Sequence, residues 1–313
     1  MNTTIRSAQD LITSHEQTRA GFIEAAMAKN QKAKPYIEQA RTLKSIAKTV
    51  KSPKDLVVMT EIQSVLLTAA GLSDKAFKYF GEEDKRIAIK ELVENFLEPA
   101  GNGWVDELVY RFLLIKGDSL GGAMRNYVGV VAQMKLVRKI LGILSIQEIC
   151  FKLLKNKTKQ WVEMDYESAF DIAESIKAIT WNAKGRNRVL FFNSKIPLVN
   201  NNVDICLFEG DEKKYDAGKI VTQSELAIMF GELKGGIDPA GADEHWKTGN
   251  TALERVRNAF AQYNIKTSFI AAGIEAKMAK EIFAQLRSNT LSKVANITVD
   301  EQLTEYCQWL INL

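Results

Sequence analysis

Cysteine, proline and histidine are scarce in this chain: 3, 5 and 2 residues among 313. Cys150, Cys206 and Cys307 are too few and too scattered for a disulfide framework, and none stands in a Cys-x-x-Cys pair that would hold zinc, so all three read as buried thiols. Long apolar runs are also missing. Neither a membrane span nor a secretory leader is expected, which makes the cytoplasm the default location. Internal repeats and low-complexity linkers are absent too. What is present is ordinary for a folded protein: 46% hydrophobic and 26% charged residues in 35.1 kDa, enough for one large domain or two smaller ones. The net charge of +4 comes from the first half of the chain. That suits a surface facing a polyanion, and equally an ordinary solvated surface.

Apolar spacing predicts a helical domain over residues 1–150. Helices are expected at 7–28, 34–50, 53–70 with Ser52 as cap and Pro53 at the first position, a short one from Ser73, and 85–97 before Pro99 and Gly101. A further helix is expected to begin at Asp118 or Ser119 and to carry Gly121, Gly122 and Arg125 near its start. A glycine-rich helix start exposes N–H groups that suit a phosphate, and close helix packing explains the same glycines as well. From about residue 151 to 313 the pattern becomes α/β. Two strands flank a turn at Lys184-Gly185, apolar strands follow at 202–208 and 226–234, a helix at 243–263, a strand at 267–274, and helices at 276–287 and 299–310.

The chemistry concentrates in GELKGGIDPAGADEHWKT, residues 231–248, which holds one of the two histidines. Glu232 and Lys234 are two apart on a strand and so share a face, and strand pairing can bring Asp204 beside them. Two carboxylates and an ammonium in one place suit a hard divalent cation such as Mg²⁺, with water and substrate phosphate completing the shell. The acidic-x-Lys pattern alone is not specific, since Glu83, Asp211, Glu212 and Glu275 begin it too. A strand-end ion pair is the plain alternative. His245, 11 residues after Lys234, is either a proton acceptor for an attacking water or a packed side chain beside Trp246. Asp238 before Pro239 either caps its own turn or accepts a hydrogen bond from cytosine N4 in a major groove. Lys247, Arg255 and Arg257 on the following helix either grip phosphates or line a solvated face.

Strand-Asp, strand-Glu-x-Lys, helix, strand, helix is the order of the PD-(D/E)xK nuclease core. With NVDICLF, ENFLEPAG at 94–101, GDSLGGAMRN at 117–126 and residues 231–248, most of the chain resembles the AvaI/BsoBI family of type II restriction endonucleases. The resemblance implies an α+β fold: a helical N-terminal domain, residues 1–150, supplying DNA grip and dimer contacts, then a catalytic domain, residues 151–313, with a central mixed sheet flanked by helices. It further implies a homodimer that cuts both strands of duplex DNA at C-pyrimidine-C-G-purine-G with Mg²⁺, leaving 5'-phosphate ends, beside a cognate methyltransferase. Asp204, Glu232, Lys234 and His245 match the family's catalytic positions. Asp204, Glu232 and the Leu233 backbone carbonyl are the metal ligands so implied, and Asp238, Lys247, Arg125, Gly121 and Gly122 the DNA contacts. The family's proline before the catalytic aspartate is replaced by Val203, with Pro197 the nearest proline. A repair or structure-specific nuclease on the same core, and a DNA-binding regulator with no activity, are the competing readings.

Overall fold

A computed structural model describes residues 4–216 and 220–313. Helices are α1 His15–Ala47, α2 Gln63–Ala69, α3 Glu82–Leu92, α4 Trp104–Ile146, α5 Tyr166–Asp171, α6 Glu212–Asp216, α7 Pro239–Ala259, α8 Ala276–Arg287 and α9 Asp300–Asn312. Strands are β1 Phe151–Lys155, β2 Trp161–Glu163, β3 Ile176–Ala183, β4 Arg186–Ile196, β5 Asn201–Glu209, β6 Ala227–Lys234, β7 Lys266–Ala271 and β8 Lys293–Asn296. They form one mixed sheet in the order β2-β1-β3-β4-β5-β6-β7-β8, antiparallel up to β6 and parallel from β6 to β8. This is the expected α+β architecture of a helical N-terminal region followed by a helix-flanked mixed sheet. No helix among the described residues is long and apolar enough to cross a membrane.

The chain groups into two compact units, residues 23–126 and residues 1–22 with 127–313. The first is helical, and its core joins Leu43, Leu56, Leu66, Leu92, Leu97, Leu108 and Phe112. In the second, the sheet buries both faces. Leu136, Ile140 and Leu144 of α4 and Tyr306 and Leu310 of α9 pack on Leu190, Phe192, Ile205, Leu207 and Met229. On the other face Phe191, Phe208, Phe230 and Phe260 run in contact across the strands to α7, with ring centroids 5.3, 5.6 and 4.8 Å apart. The hairpin at Lys184-Gly185 forms as expected, both residues having positive φ, 55° and 76°.

Several expectations change. The helices at 7–28 and 34–50 are one, α1, which starts late because Ser14 and Gln17 form a capping box. It passes through Pro35 because residues 28–34 are mostly good helix formers and an exposed proline there deletes one donor without ending the helix. Ser52 caps as expected, accepting from the Lys54 N–H at 3.3 Å, but the segment after it is 3₁₀ from Pro53 to Val58. No helix starts at Asp118 or Ser119. Those residues lie inside α4, so the Gly121 and Gly122 amides are spent on its ladder and offer no phosphate site. Close packing does not explain these glycines either, because a Cβ on either would meet nothing within 4 Å. Helix α7 begins at Pro239, earlier than residue 243, because Asp238 caps it and proline occupies the first position. Strands β1, β2 and β8 and helix α5 went unforeseen, being too short to show a period. Cys206 and Cys307 are buried, whereas Cys150 is exposed in the turn after α4.

Glycines inside helices therefore fall into two kinds. A Cβ on Gly249 of α7 would stand 2.7 Å from the Phe269 ring, whereas one on Gly121 has open space. Gly249→Ala is expected to lower stability by about 1–3 kcal/mol through overpacking, and Gly121→Ala to raise it by about 0.5–1 kcal/mol. Urea denaturation of both variants checks the opposite signs.

Candidate active site

Ile205 of β5 pairs with Gly231 of β6, so one step further along the register Asp204 stands opposite Glu232. Directly opposed residues of antiparallel strands share a face, and Lys234 joins them two residues on. The Lys234 Nζ donates to Glu232 Oε2 at 2.6 Å and to Asp204 Oδ2 at 3.4 Å. The ladder ends here, and Asp204 Oδ2 takes the place of the missing backbone acceptor by receiving the Leu233 N–H at 2.9 Å. The structure thus brings together the three groups that the sequence singled out.

The main chain of β6 alternates its bonding sides. The Lys234 carbonyl accepts from the Ala272 N–H, in the segment that extends β7, so the Leu233 carbonyl faces the opposite side, the side on which its own N–H meets Asp204. Two carboxylates and that carbonyl form an all-oxygen donor set suited to a hard divalent cation. Among the described residues no group of three or more His, Cys, Asp or Glu gathers anywhere, so the remaining positions of such an ion fall to water and substrate.

Burial gives the site its electrostatic character. The Glu232 side chain is 5% exposed, against 27% for Asp204 and 21% for Lys234. Burial, and secondarily the charge of Asp204, push the Glu232 carboxyl up to about 7 despite the opposing pull of Lys234. For Lys234, burial favours the neutral amine, but the two carboxylates outweigh it and the ammonium ends above its ordinary value. The site therefore holds its positive charge firmly and gives up a Glu232 proton near neutrality. A dication bound by the same oxygens would compete with that proton.

Glycines set how closely the surroundings approach. A Cβ on Gly231 would lie 2.5 Å from Ser268 Oγ, and one on Gly235 2.4 Å from the Val128 carbonyl oxygen of α4. One on Gly236 would lie 2.6 Å from His245 Nε2. The half-buried imidazole thus rests on bare backbone in the loop that follows Lys234. Gly249, one turn beyond His245 on the same side of α7, puts its Cβ position 3.5 Å from Lys234 Cε. The packed role belongs to Trp246, whose ring meets Phe269 edge-on at 5.0 Å and whose Nε1 donates to Glu281 at 2.7 Å.

Asp238, Lys247, Arg255 and Arg257 make no hydrogen bond or ion pair with the triplet. Asp238 is exposed at the start of α7, where one oxygen accepts the Ala240 N–H at 3.0 Å and the other is not used in the cap. Lys247 is exposed and paired with Asp243 at 2.5 Å. Arg255 is exposed, while Arg257 is half-buried with its Nη1 unbonded. Arg125 projects from the middle of α4, beside Gly121 and Gly122. Sequence reasoning missed the demands on Gly231 and Gly249. Their signal was present in the spacing, one glycine just before Glu232 and another four residues after His245.

The raised Glu232 value ties stability to pH. It lies, at about 7, above the ordinary 4.5, so the contribution of this carboxyl to stability is full below 4.5 and is lost as pH rises through 7. With a chelator present, urea midpoints of the wild type are expected to fall relative to Glu232→Gln across that window, because glutamine has no proton to lose. In the same window Mg²⁺ affinity, read by calorimetry, is expected to rise for the wild type and stay flat and weak for Glu232→Gln.

The family model described as "Restriction endonuclease BsobI" matches residues 1–313. The chain is 49% identical over 313 residues to the type II restriction enzyme BsoBI of Geobacillus stearothermophilus, covering 99% of this chain and 97% of that one. It is 44% identical over 311 residues to the type II restriction enzyme AvaI of Nostoc sp., covering 99% and 98%. AvaI of Anabaena variabilis matches to the same extent. Given a match along its whole length and a carboxylate-lysine site at a sheet end, this chain belongs to the BsoBI family of restriction endonucleases.

Proposed function

We propose that this protein is a type II restriction endonuclease that hydrolyses both strands of duplex DNA at a short palindromic site, C-pyrimidine-C-G-purine-G, using Mg²⁺ and leaving 5'-phosphate ends. The observation that carries the reading is the opposition of Asp204 and Glu232 with the Lys234 ammonium between them. Whole-length similarity to BsoBI and AvaI supports it. A homodimer suits a palindrome, because each subunit presents the same groups to its half-site. A bacterial cytoplasm and a cognate methyltransferase complete the setting of such an enzyme.

Asp204, Glu232 and the Leu233 carbonyl would hold the ion. When bound, Mg²⁺ polarises the phosphate and lowers the pKa of a coordinated water. The chain's own groups do the rest. Lys234 holds its ammonium where negative charge builds on the phosphoryl oxygens. His245 Nε2 accepts the proton of the attacking water, and bare backbone at Gly236 leaves it room. Asp238, with one oxygen outside its cap, accepts from a cytosine N4 amine. Lys247 contacts phosphates after leaving Asp243, an exposed pair that costs little to open. Arg125 reaches a phosphate from α4 through its guanidinium, and the bare Gly121 and Gly122 beside it let the DNA backbone come close without donating to it.

Incubating a long duplex of known sequence with wild type and Glu232→Ala, with and without Mg²⁺, and sequencing the ends tests this reading. Discrete Mg²⁺-dependent ends at one hexamer, lost in the variant, are expected. Ends scattered over the duplex would replace it with an unspecific nuclease, and bound but uncut DNA with a regulator. His245→Ala is expected to lower kcat by about 10²–10⁴-fold with little change in KM, read from single-turnover cleavage.

A further inference from the structure

The rim of the sheet beside the active site carries mostly positive charge. β1 ends at Lys155 and β2 begins at Trp161, and the turn between them reads KNKTKQ, residues 155–160. The pairing register locates this turn. Leu154 pairs with Ala178, Ala178 with Phe191, Phe191 with Cys206 and Cys206 with Phe230. The row beyond Leu154 therefore leads across the strands toward Asn193, Asp204 and Glu232, at the same end of the sheet. β1 and β5 are three strand spacings apart, about 14 Å at ~4.8 Å each.

Residues 155–160, 174–177 and 192–203, which form this rim, hold five lysines against one acidic residue, the exposed Glu174. Lys177 is spent inside the fold, where its ammonium holds the Phe192 and Asn193 carbonyls. Lys157, Lys159 and Lys195 are exposed and Lys155 half-buried. Among the described residues none of these four lysines enters an ion pair, and the Lys159 ammonium donates to the Asn156 amide oxygen at 3.0 Å. The opposite end of the sheet differs. There Lys152 is paired with Glu212 at 2.5 Å, and Lys213 and Lys214 follow Asp211 and Glu212 in sequence.

Four uncompensated ammonium groups at the active-site end repel one another and raise the local positive potential, a cost that a polyanion offsets. We infer that Lys155, Lys157, Lys159 and Lys195 form a docking rim for the phosphodiester backbone of the DNA flanking the cut, with Lys195 on the neighbouring strand nearest to it and the β1–β2 turn about four base steps away at ~3.4 Å per step. The inference rests on the nuclease reading and extends it to the DNA flanking the site. The rim binds phosphates and reads no base, so it contributes affinity without sequence preference.

The test compares wild type, Lys157→Gln/Lys159→Gln/Lys195→Gln, and Lys213→Gln/Lys214→Gln, which removes charge from the opposite end. All of these side chains are exposed, and thermal denaturation verifies that each variant folds. The readouts are the salt dependence of DNA binding, measured in Ca²⁺ to hold cleavage back, and steady-state cleavage in Mg²⁺. For the rim variant, the slope of log K against log salt is expected to shrink by about 0.9 for each phosphate that no longer meets an ammonium group, with KM raised and kcat unchanged. On duplexes whose flanks end short of about four base pairs, wild type is expected to fall to the level of the rim variant. The opposite-end variant is expected to behave as wild type. An unchanged slope in the rim variant, an equal weakening in both variants, or a rim effect indifferent to flank length would overturn the inference while leaving a wild type that still cuts. A wild type that neither binds nor cuts duplex DNA would remove the nuclease reading and the rim together.

Discussion

Pairing of β5 with β6 sets Asp204 across from Glu232, and the Lys234 ammonium at 2.6 and 3.4 Å is what allows two carboxylates to share a nearly dry space. The arrangement tolerates no slip. Moving β5 by one residue along β6 would turn Asp204 to the face packed by α4 and α9, where an unpaired carboxylate would sit among Leu, Ile and Phe side chains. The apolar residues flanking the site, Ile205 and Phe230 among them, therefore do more than fill the core. They make any other register expensive, and so hold the acids in position.

The tight fit around the triplet follows from missing side chains. Gly235 admits the α4 backbone, Gly236 admits His245 and Gly249 admits Phe269, while on the opposite face of β6 Gly231 admits Ser268. Each contact closes a different direction, so the loop after Lys234 is held between α4 and α7 without help from its own side chains. Crowding of glycine, proline, histidine and acid in residues 231–248 is thus one structural solution: a strand end, a bare loop and a capped helix that deliver charge to one place.

Charge at this end of the sheet is sorted by depth. The carboxylates are inside and compensated by Lys234, while the unpaired lysines of the β1–β2 turn and of β4 lie outside on the rim. The inner oxygens are of the kind that suits a hard cation, and the outer ammonium groups of the kind that suits a polyanion. The raised Glu232 value belongs to the same picture, since it marks excess negative charge in a place that water reaches poorly.

Much of this was legible in the sequence because it is local. Period-two spacing puts Glu232 and Lys234 on one face whatever the fold, Ser52 caps the segment after it, and Lys184-Gly185 turns the hairpin. The long strings around Asp204 and residues 231–248 carried the family. The joining of segments across Pro35 and across Gly121 and Gly122 was also local, since a helix already nucleated continues past a single weak position, but punctuation residues hid it on paper. Other features were decided only in three dimensions. The three short strands had no period to read and exist through their neighbours' hydrogen bonds. Above all, the opposition of Asp204 to Glu232 and the burial that shifts Glu232 depend on pairing between residues 28 positions apart. Sequence alone determined which groups were available and which shared a strand face; the tertiary structure decided their register and their dielectric, because both are properties of contacts between segments.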